Sequence, residues 1–142
     1  MLLPVKKLDP EATLPTRATE HSAGLDLYAV ADVGIASGWR VTVPTGVAAS
    51  IPQGCVGKLH IRSGHARRRG LSLANGVGVI DADYTGEIMA VVENRGQTPQ
   101  IIKAGERFAQ LVIEEYVHAD VIEVDELDET VRAGGGFGST GQ

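Results

Sequence analysis

The sequence predicts an all-β fold, either a sandwich or a barrel, on three observations. Turn-forming residues recur at regular short intervals between Gly34 and Gly105, a spacing typical of sandwiches and barrels. Runs rich in β-branched residues lie between these turns, and several of them alternate apolar and polar side chains. Aromatic residues make up only 4% of the chain and glycine contributes 18 residues, which favours short strands and tight turns over long helices.

The elements follow in chain order from this pattern. A small apolar strand containing one acid, Asp26, is expected near residues 23–29. Residues 66–73 form the one candidate helix, and Gly70 is expected to end it early because glycine accommodates helix termination. The clearest further strands are residues 41–43, 56–61, 88–92, 108–113 and 121–124.

The length of 142 residues and the mass of 14.9 kDa indicate one domain. We place that domain at residues 1–131 and a glycine-rich tail at residues 132–142. The single cysteine, Cys55, cannot form an internal disulfide, which fits a reducing compartment. Residues 1–7 do not resemble a signal peptide and no stretch is long enough to span a membrane. We therefore expect a soluble, cytoplasmic protein without a membrane partner.

The net charge of −5 is unevenly distributed. Residues 1–71 carry a balance of +4 and residues 72–142 a balance of −9. The basic excess includes Arg62 and the run 67–69, which is expected to be mainly a solvated surface. A generic nucleic-acid binder is basic overall, so the composition argues against nucleic acid as a partner. The local cations are compatible with a small polyanionic ligand.

Residues 75–87 (NGVGVIDADYTGE) contain the strongest local signal. The Asn75-Gly76 pair predicts a β-hairpin. Asp81 follows an apolar run and precedes Tyr84, which fits either an acidic turn or a carboxylate acting as general base beside an aromatic steric gauge. Metal-binding cysteine or histidine motifs, a phosphate-binding P-loop and a nucleophile elbow are all missing from the sequence.

Three shorter features are candidates for ligand contacts. Asp26 is either a strand-end cap or an acid near a metal. Arg62, Ser63 and Gly64 follow a predicted strand, and a guanidinium, a hydroxyl and free N–H groups suit phosphate oxygens, although three residues are a weak signal. Gln110 is a polar exception in an apolar run, and it either satisfies backbone groups or contacts a ligand.

The glycine-rich tail also has two interpretations. It is either a frayed terminus or a flexible segment that closes over a ligand, with Phe137 stacking and Arg132 pairing with an anion. Its match to the GxGxxG pattern does not indicate dinucleotide binding, because no strand precedes it and no helix follows it.

Five segments, in this order, resemble the five motifs of the trimeric dUTPase family. They are residues 23–27 (AGLDL), 62–64 (RSG), 78–87 (GVIDADYTGE), 107–111 (RFAQL) and 132–141 (RAGGGFGSTG). Each motif alone is weak, whereas five in order across the whole chain are highly specific. The resemblance implies a distorted jelly-roll, β-clip-like barrel that forms a homotrimer with shared active sites. It also implies hydrolysis of dUTP to dUMP and pyrophosphate with Mg²⁺, which keeps uracil out of DNA and supplies dUMP for dTMP synthesis.

The resemblance also implies a role for each matched residue. Asp81 is similar to the carboxylate that deprotonates the attacking water, and Tyr84 to the residue that packs on deoxyribose. Asp26 would touch the metal through water. The uracil pocket would be formed by Asn75, the backbone of Gly78, Val79 and Ile80, and Met89. The phosphate contacts would come from Arg62, Ser63, Gly64, Gln110, Arg132, Gly138, Ser139 and Thr140, and Phe137 would stack on uracil.

Three positions depart from the pattern that the resemblance implies. His65 stands where the family more often has an apolar residue, Phe108 where isoleucine is commoner, and Ala133 where glycine is commoner. Two rival functions remain at this stage. A dCTP deaminase shares the fold but lacks the aromatic-bearing tail, and a non-catalytic jelly-roll binding module would not explain Asp81 with Tyr84.

Overall fold

The computed structural model describes residues 1–136. It confirms the all-β class, since this part of the chain forms eleven strands and a single short helix. The helix, α1, spans Ser63–Arg69. The strands are β1 (Val5–Lys7), β2 (Leu25–Tyr28), β3 (Val33–Ile35), β4 (Arg40–Pro44), β5 (Val47–Ala49), β6 (Cys55–Ile61), β7 (Leu71–Leu73), β8 (Gly78–Ile80), β9 (Met89–Asn94), β10 (Gln100–Ile102) and β11 (Arg107–Glu115).

Residues 1–136 form four small antiparallel sheets. The largest has the order β2-β11-β6-β8, and a second sheet has the order β4-β9-β7. Two-stranded sheets pair β1 with β5 and β3 with β10. In the largest sheet β11 is the central long strand, pairing with β2 on one side and with β6 on the other. Every neighbouring pair of strands is antiparallel, as expected for a jelly-roll-like architecture.

The core lies between these sheets. Burial alternates along β6, where Cys55, Gly57 and Leu59 are buried and the residues between them are half-buried. This confirms the alternation predicted for residues 56–61. The largest fully buried side chains include Phe108, with no exposed surface, and Leu27. Burial of each such side chain stabilises the fold by about 1.5–3 kcal/mol.

The structure confirms where the candidate helix ends, but the helix begins earlier than expected. Gly70 adopts the left-handed conformation, with φ 64°, and its N–H donates to the carbonyl of Ala66. That geometry is a common glycine C-cap. The helix begins at Ser63, three residues before the expected start, and Leu71 already belongs to β7.

Two sequence expectations are wrong. Asn75-Gly76 does not join a hairpin, because β7 pairs with β9 and β8 pairs with β6, so the turn connects two different sheets. Residues 121–124 form no strand; Val121 is 97% and Ile122 is 77% exposed. A strand needs a hydrogen-bonded neighbour, and residues 1–136 provide none for this segment.

Among residues 1–136, no helix has the length and apolar character needed to cross a membrane.

Candidate functional site

The largest sheet places two of the candidate residues opposite each other. Asp26 of β2 pairs in register with Gln110 of β11, and Gln110 pairs in turn with His60 of β6. Because directly paired residues project to the same side of a sheet, these three side chains share one face. A Cβ placed on Gly24 would lie 2.3 Å from Oε1 of Gln110. The glycine of the first motif therefore leaves space for the Gln110 side chain.

Asp26 is buried and binds two arginines. Its side chain is only 6% exposed, and its Oδ1 lies 3.0 Å from Nε of Arg62. Its Oδ2 accepts a hydrogen bond of 3.2 Å from Nη1 of Arg107. Of the two interpretations that the sequence left open for Asp26, the strand-end cap is not observed. The carboxylate instead orients the two guanidinium groups.

Arg107 was not among the predicted site residues, and a local irregularity explains why. Strict alternation along a strand would place Arg107 and Gln110 on opposite faces. The register of β11 against β2 shifts between Arg107 and Ala109. A bulge of this kind re-aims a side chain, and here it lets Arg107 reach Asp26. The only signal in the sequence was the position of Arg107 at the start of the fourth motif.

Ser63 and Gly64 begin α1 immediately after Arg62. Arg62 is the residue before the helix and makes no side-chain cap. Its N–H donates to the carbonyl of Phe108 at 3.0 Å, which fixes the end of β6 against β11. Ser63 is exposed. Of the predicted phosphate-binding residues 62–64, Arg62 thus contacts Asp26, the register partner of Gln110, and Ser63 and Gly64 follow it in the chain.

The basic run after this motif is only partly the solvated surface that was expected. Arg69 is half-buried and donates to Gln100 at 2.9 Å and to Glu106 at 2.6 Å. It also donates to the carbonyl of Ile101. These contacts hold α1 against β10 and the loop that precedes β11. Arg67, by contrast, is exposed.

His65 is the buried residue of α1 and faces the same acid as Arg69. It is 8% exposed, and its Nε2 lies 3.1 Å from Oε1 of Glu106. Burial lowers the pKa of His65, Glu106 opposes that shift, and the nearby positive charges of Arg69, Arg62 and Arg68 reinforce it. The neutral imidazole is therefore favoured in the folded protein.

A second group of candidate residues surrounds a cavity of about 310 Å³. Asp81 follows β8 directly, and the N–H of Tyr84 donates to the carbonyl of Asp81 at 3.2 Å, so the chain turns between them. The hydroxyl of Tyr84 donates to the carbonyl of Glu87 at 2.8 Å. The lining residues are Thr42, Val79, Ile80, Asp81, Tyr84, Glu87, Met89 and Val91. Five of the predicted site residues therefore meet here.

Two further predicted positions lie at the start of β8 and in the turn that precedes it. Gly78 begins β8 and pairs in register with Leu59. A Cβ on Gly78 would lie 2.9 Å from Cβ of Leu59, so the two strands approach closely at that point. Asn75 is exposed in the turn that precedes β8. The backbone of β8 thus leads directly to Asp81, whereas the Asn75 amide lies in the turn before the other end of the strand.

The two groups do not meet within one chain. Asp26 lies on β2 and Asp81 follows β8, and these are the outer strands of the four-stranded sheet. With three strand spacings between them, the two strands are about 14 Å apart. The cavity beside Asp81 is lined neither by Arg62 nor by Gln110. One copy of residues 1–136 therefore does not bring the predicted phosphate contacts to the predicted base.

The tail is described only at its start. Arg132 is exposed, and its Nε donates to the carbonyl of Gly135 at 2.9 Å. Ala133, which stands where the family more often has glycine, has φ 44°, in the left-handed region that favours glycine. Phe137, Gly138, Ser139 and Thr140 lie outside the described residues, so their predicted roles remain predictions.

The comparisons with known proteins agree with one another. The family model for dUTPase matches residues 10–141. A deoxyuridine 5'-triphosphate nucleotidohydrolase of Corynebacterium efficiens is 50% identical over 137 residues, covering 96% of this chain and 76% of the relative. The enzyme of the same name from Arabidopsis thaliana is 43% identical, covering 96% and 81%.

Solved structures of dUTPases share the fold along almost the whole chain. The dUTPase of Staphylococcus bacteriophage 80alpha with dUpNHpp has a TM-score of 0.92 and 29% identity, with 99% of each chain covered. A dUTPase variant from phage phi11 of S. aureus, described with a structural Mg(II) ion, has a TM-score of 0.82 and 27% identity, covering 89% and 98%.

Proposed function

The chain belongs to the dUTPase family and is a dUTP diphosphatase, and we propose that Asp81 activates the water that attacks the α-phosphorus of dUTP. The products are dUMP and pyrophosphate. The observation that carries this proposal is the cavity in which Asp81 meets Val79, Ile80, Tyr84 and Met89, in a chain whose family match runs from residue 10 to residue 141.

Asp81 is suited to be the general base by its place in the chain. It is exposed, directly after the buried Ile80, and the turn to Tyr84 holds its backbone. A carboxylate in this position accepts a hydrogen bond from a water molecule and then its proton. Removal of that proton as the water attacks the phosphorus makes the water a better nucleophile.

The rest of the cavity recognises the nucleoside. The backbone of Gly78, Val79 and Ile80 reads the polar edge of uracil together with Asn75, and Met89 closes the pocket. A pocket that leaves a buried polar group of cytosine unpaired rejects it by about 1–3 kcal/mol. Tyr84 packs on the deoxyribose, and its ring leaves no space for a 2′-hydroxyl. The hydrogen bond from Tyr84 to the Glu87 carbonyl supports this role, because it holds the ring in place.

Arg62, Ser63, Gly64 and Gln110 hold the triphosphate. Arg62 supplies charge-assisted hydrogen bonds in a plane fixed by Asp26. The paired register of Gln110 with Asp26 supports a joint role, since both lie on one sheet face next to Arg62. In the tail, Phe137 stacks on uracil, whereas Arg132, Gly138, Ser139 and Thr140 close on the phosphates. Closure excludes water other than the nucleophile.

Mg²⁺ is the proposed cofactor, and the available protein ligands restrict how it binds. Within residues 1–136 no group of three or more His, Cys, Asp or Glu side chains is placed to hold a metal. Both oxygens of Asp26 already face arginines. With so few protein ligands, an Mg²⁺ ion would be held mainly by triphosphate oxygens and water molecules, and Asp26 would contact it through water. When bound, the ion neutralises negative charge on the triphosphate.

A homotrimer with shared active sites is the proposed assembly. The separation of Asp26 and Arg62 from Asp81 supports it, because a neighbouring chain is needed to complete the site. Exposed apolar residues also support it. Val79 is 62% and Met89 is 45% exposed beside the cavity, and Val117 is 90% exposed after β11. Contact between chains would remove this surface from water.

The cellular role follows from the reaction. Hydrolysis of dUTP keeps uracil out of DNA and supplies dUMP for dTMP synthesis. The single buried cysteine, Cys55, supports a reducing, cytoplasmic location.

The substrate specificity is the direct test of the proposed function. Pyrophosphate release is measured with Mg²⁺ from dUTP, dCTP, dTTP and UTP in parallel, and ammonia is followed with dCTP. Fast release from dUTP alone supports both the reaction and the pocket. Release of ammonia from dCTP would indicate a deaminase instead. The absence of reaction with every nucleotide would contradict the proposal.

A further inference from the structure

Arg68 lies over the backbone of the phosphate-binding motif. A Cβ placed on Gly64 would lie 2.7 Å from Nη2 of Arg68 and 3.3 Å from its Cζ. The guanidinium group therefore occupies the space that a side chain at position 64 would fill. The three-residue motif and a fourth residue, the charged Arg68, thus form one surface at the start of α1.

Within residues 1–136, Arg68 forms no ion pair that would stabilise the fold. Arg62 and Arg107 share the carboxylate of Asp26, and Arg69 pairs with Glu106. The ion pairs and side-chain hydrogen bonds found between residues 1 and 136 do not include Arg68. Its guanidinium donors are therefore free to bind a ligand beside Gly64.

Anchoring of α1 does not explain Arg68 either. Arg69 makes the contacts that hold the helix against Gln100, Ile101 and Glu106. Arg68 is exposed, so its removal takes no buried surface from the core. A long, flexible cation that folds back over a glycine without a protein acceptor is suited to an anion that binds at that glycine.

We propose that Arg68 is a further substrate-binding residue, whose guanidinium binds oxygens of the triphosphate next to Ser63 and Gly64. This assignment rests on the proposed function of residues 62–64. A planar guanidinium binds phosphate through two parallel hydrogen bonds. Its contribution is greatest for the triphosphate and smallest for dUMP, which carries a single phosphate. Arg68 thereby favours binding of substrate over retention of product.

The matched test compares Arg68→Gln with Arg67→Gln. Both variants remove one positive charge from α1, but Arg67 is exposed and makes no ion pair in the described part of the chain. Loss of a charged hydrogen bond should raise the KM for dUTP about tenfold in Arg68→Gln. The kcat and the inhibition constant of dUMP should stay close to those of the wild type. Arg67→Gln should change the KM by less than about twofold.

Two further variants separate binding from folding. Arg68→Lys should recover part of the affinity, because it restores the charge without the planar geometry. Gly64→Ala should raise the KM in the same direction as Arg68→Gln, since its methyl group displaces the guanidinium. Thermal unfolding should be close to wild type in all the Arg68 variants.

Calorimetric titration with inorganic triphosphate supplies a measurement that does not require turnover. Weaker binding of this anion by Arg68→Gln than by Arg67→Gln supports the assignment, and equal binding or equal KM values overturn it. Failure of the wild type to hydrolyse dUTP would contradict the proposed function instead, and the titration would still decide whether Arg68 binds the anion.

Discussion

The Nε atom of Arg62 lies 3.0 Å from Oδ1 of Asp26, and the Asp26 side chain is only 6% exposed. Arg62 itself is 31% exposed, so one end of this ion pair is buried and the other reaches the surface. The buried carboxylate also holds Arg107 through its second oxygen. One acid, the register partner of Gln110, thus fixes the direction of two cations.

Asp26→Asn should lower kcat/KM for dUTP by about 10- to 100-fold, because the neutral amide no longer fixes both guanidinium groups. Most of the change should appear in KM at saturating Mg²⁺. Asp32→Asn is the control, since it removes an exposed acid that pairs with Lys103 at 2.7 Å. Steady-state kinetics of the two variants make the comparison. Equal kinetics in both variants would mean that Asp26 does not position the arginines.

The pH dependence of stability should report the burial of His65. Its pKa is below the ordinary value of 6.5 in the folded protein, so the unfolded chain binds more protons as the pH falls below 6.5. The contribution of His65 to the free energy of unfolding is fully present above pH 6.5. It is lost as the pH falls through the pKa of His65 in the folded protein. Urea unfolding between pH 8 and pH 5.5 measures the loss.

His65→Leu should remove this part of the pH dependence, because leucine has no proton to gain. His21→Gln is the control, since His21 is exposed and should leave the wild-type slope unchanged. Identical slopes for His65→Leu and the wild type would show that another group controls acid stability.

The sugar selectivity should depend on the position of the Tyr84 ring. A Cβ on Gly86 would lie 2.6 Å from Oη and 2.7 Å from Cζ of Tyr84. Gly86→Ala therefore has to displace the ring, which is possible without unfolding because Tyr84 is 41% exposed. The preference for dUTP over UTP, as a ratio of kcat/KM values, should fall about tenfold. Gly34→Ala is the control, because a Cβ at that position meets no atom within 4 Å. An unchanged dUTP/UTP ratio in Gly86→Ala would contradict the role of the Tyr84 ring in excluding the 2′-hydroxyl.

Asn94 should be the most costly polar side chain to remove. It is fully buried, donates to the carbonyls of Ile35 at 3.0 Å and Thr98 at 2.9 Å, and accepts from the N–H of Gly96 at 2.9 Å. Asn94→Ala leaves these groups unpaired and should lower the free energy of unfolding by about 2–4 kcal/mol.

The only other asparagine provides the matched control for Asn94. Asn75 is exposed in a turn, so Asn75→Ala should change the free energy of unfolding by less than about 0.5 kcal/mol. Denaturation in urea compares the two variants. A similar small change for both would show that the buried amide contributes little.

The sequence predicted local elements well where a periodic pattern was complete. The alternation of residues 56–61 and the glycine at position 70 identified β6 and the end of α1. The apolar run at residues 121–124 misled the prediction, because an apolar pattern does not show whether a neighbouring strand exists.

Local sequence patterns did not predict contacts between residues that are far apart in the chain. The ion pair of Asp26 with Arg107 depends on a register shift in β11 that alternation does not predict. The hairpin expected at Asn75 failed because β7 and β8 join different sheets. The local sequence left two interpretations open for Asp81 with Tyr84 and for Gln110, and the order of the five motifs favoured the functional one.

The most direct test of the mechanism is single-turnover hydrolysis of dUTP by Asp81→Asn, with dUTP affinity measured in parallel. An amide cannot accept the proton of the attacking water, so the rate should fall about 10²- to 10⁴-fold while affinity is retained. Asp83→Asn, which removes an exposed carboxylate two residues away, should slow the reaction far less. Wild-type turnover by Asp81→Asn with substrate fully bound would contradict the assignment of Asp81 as the base.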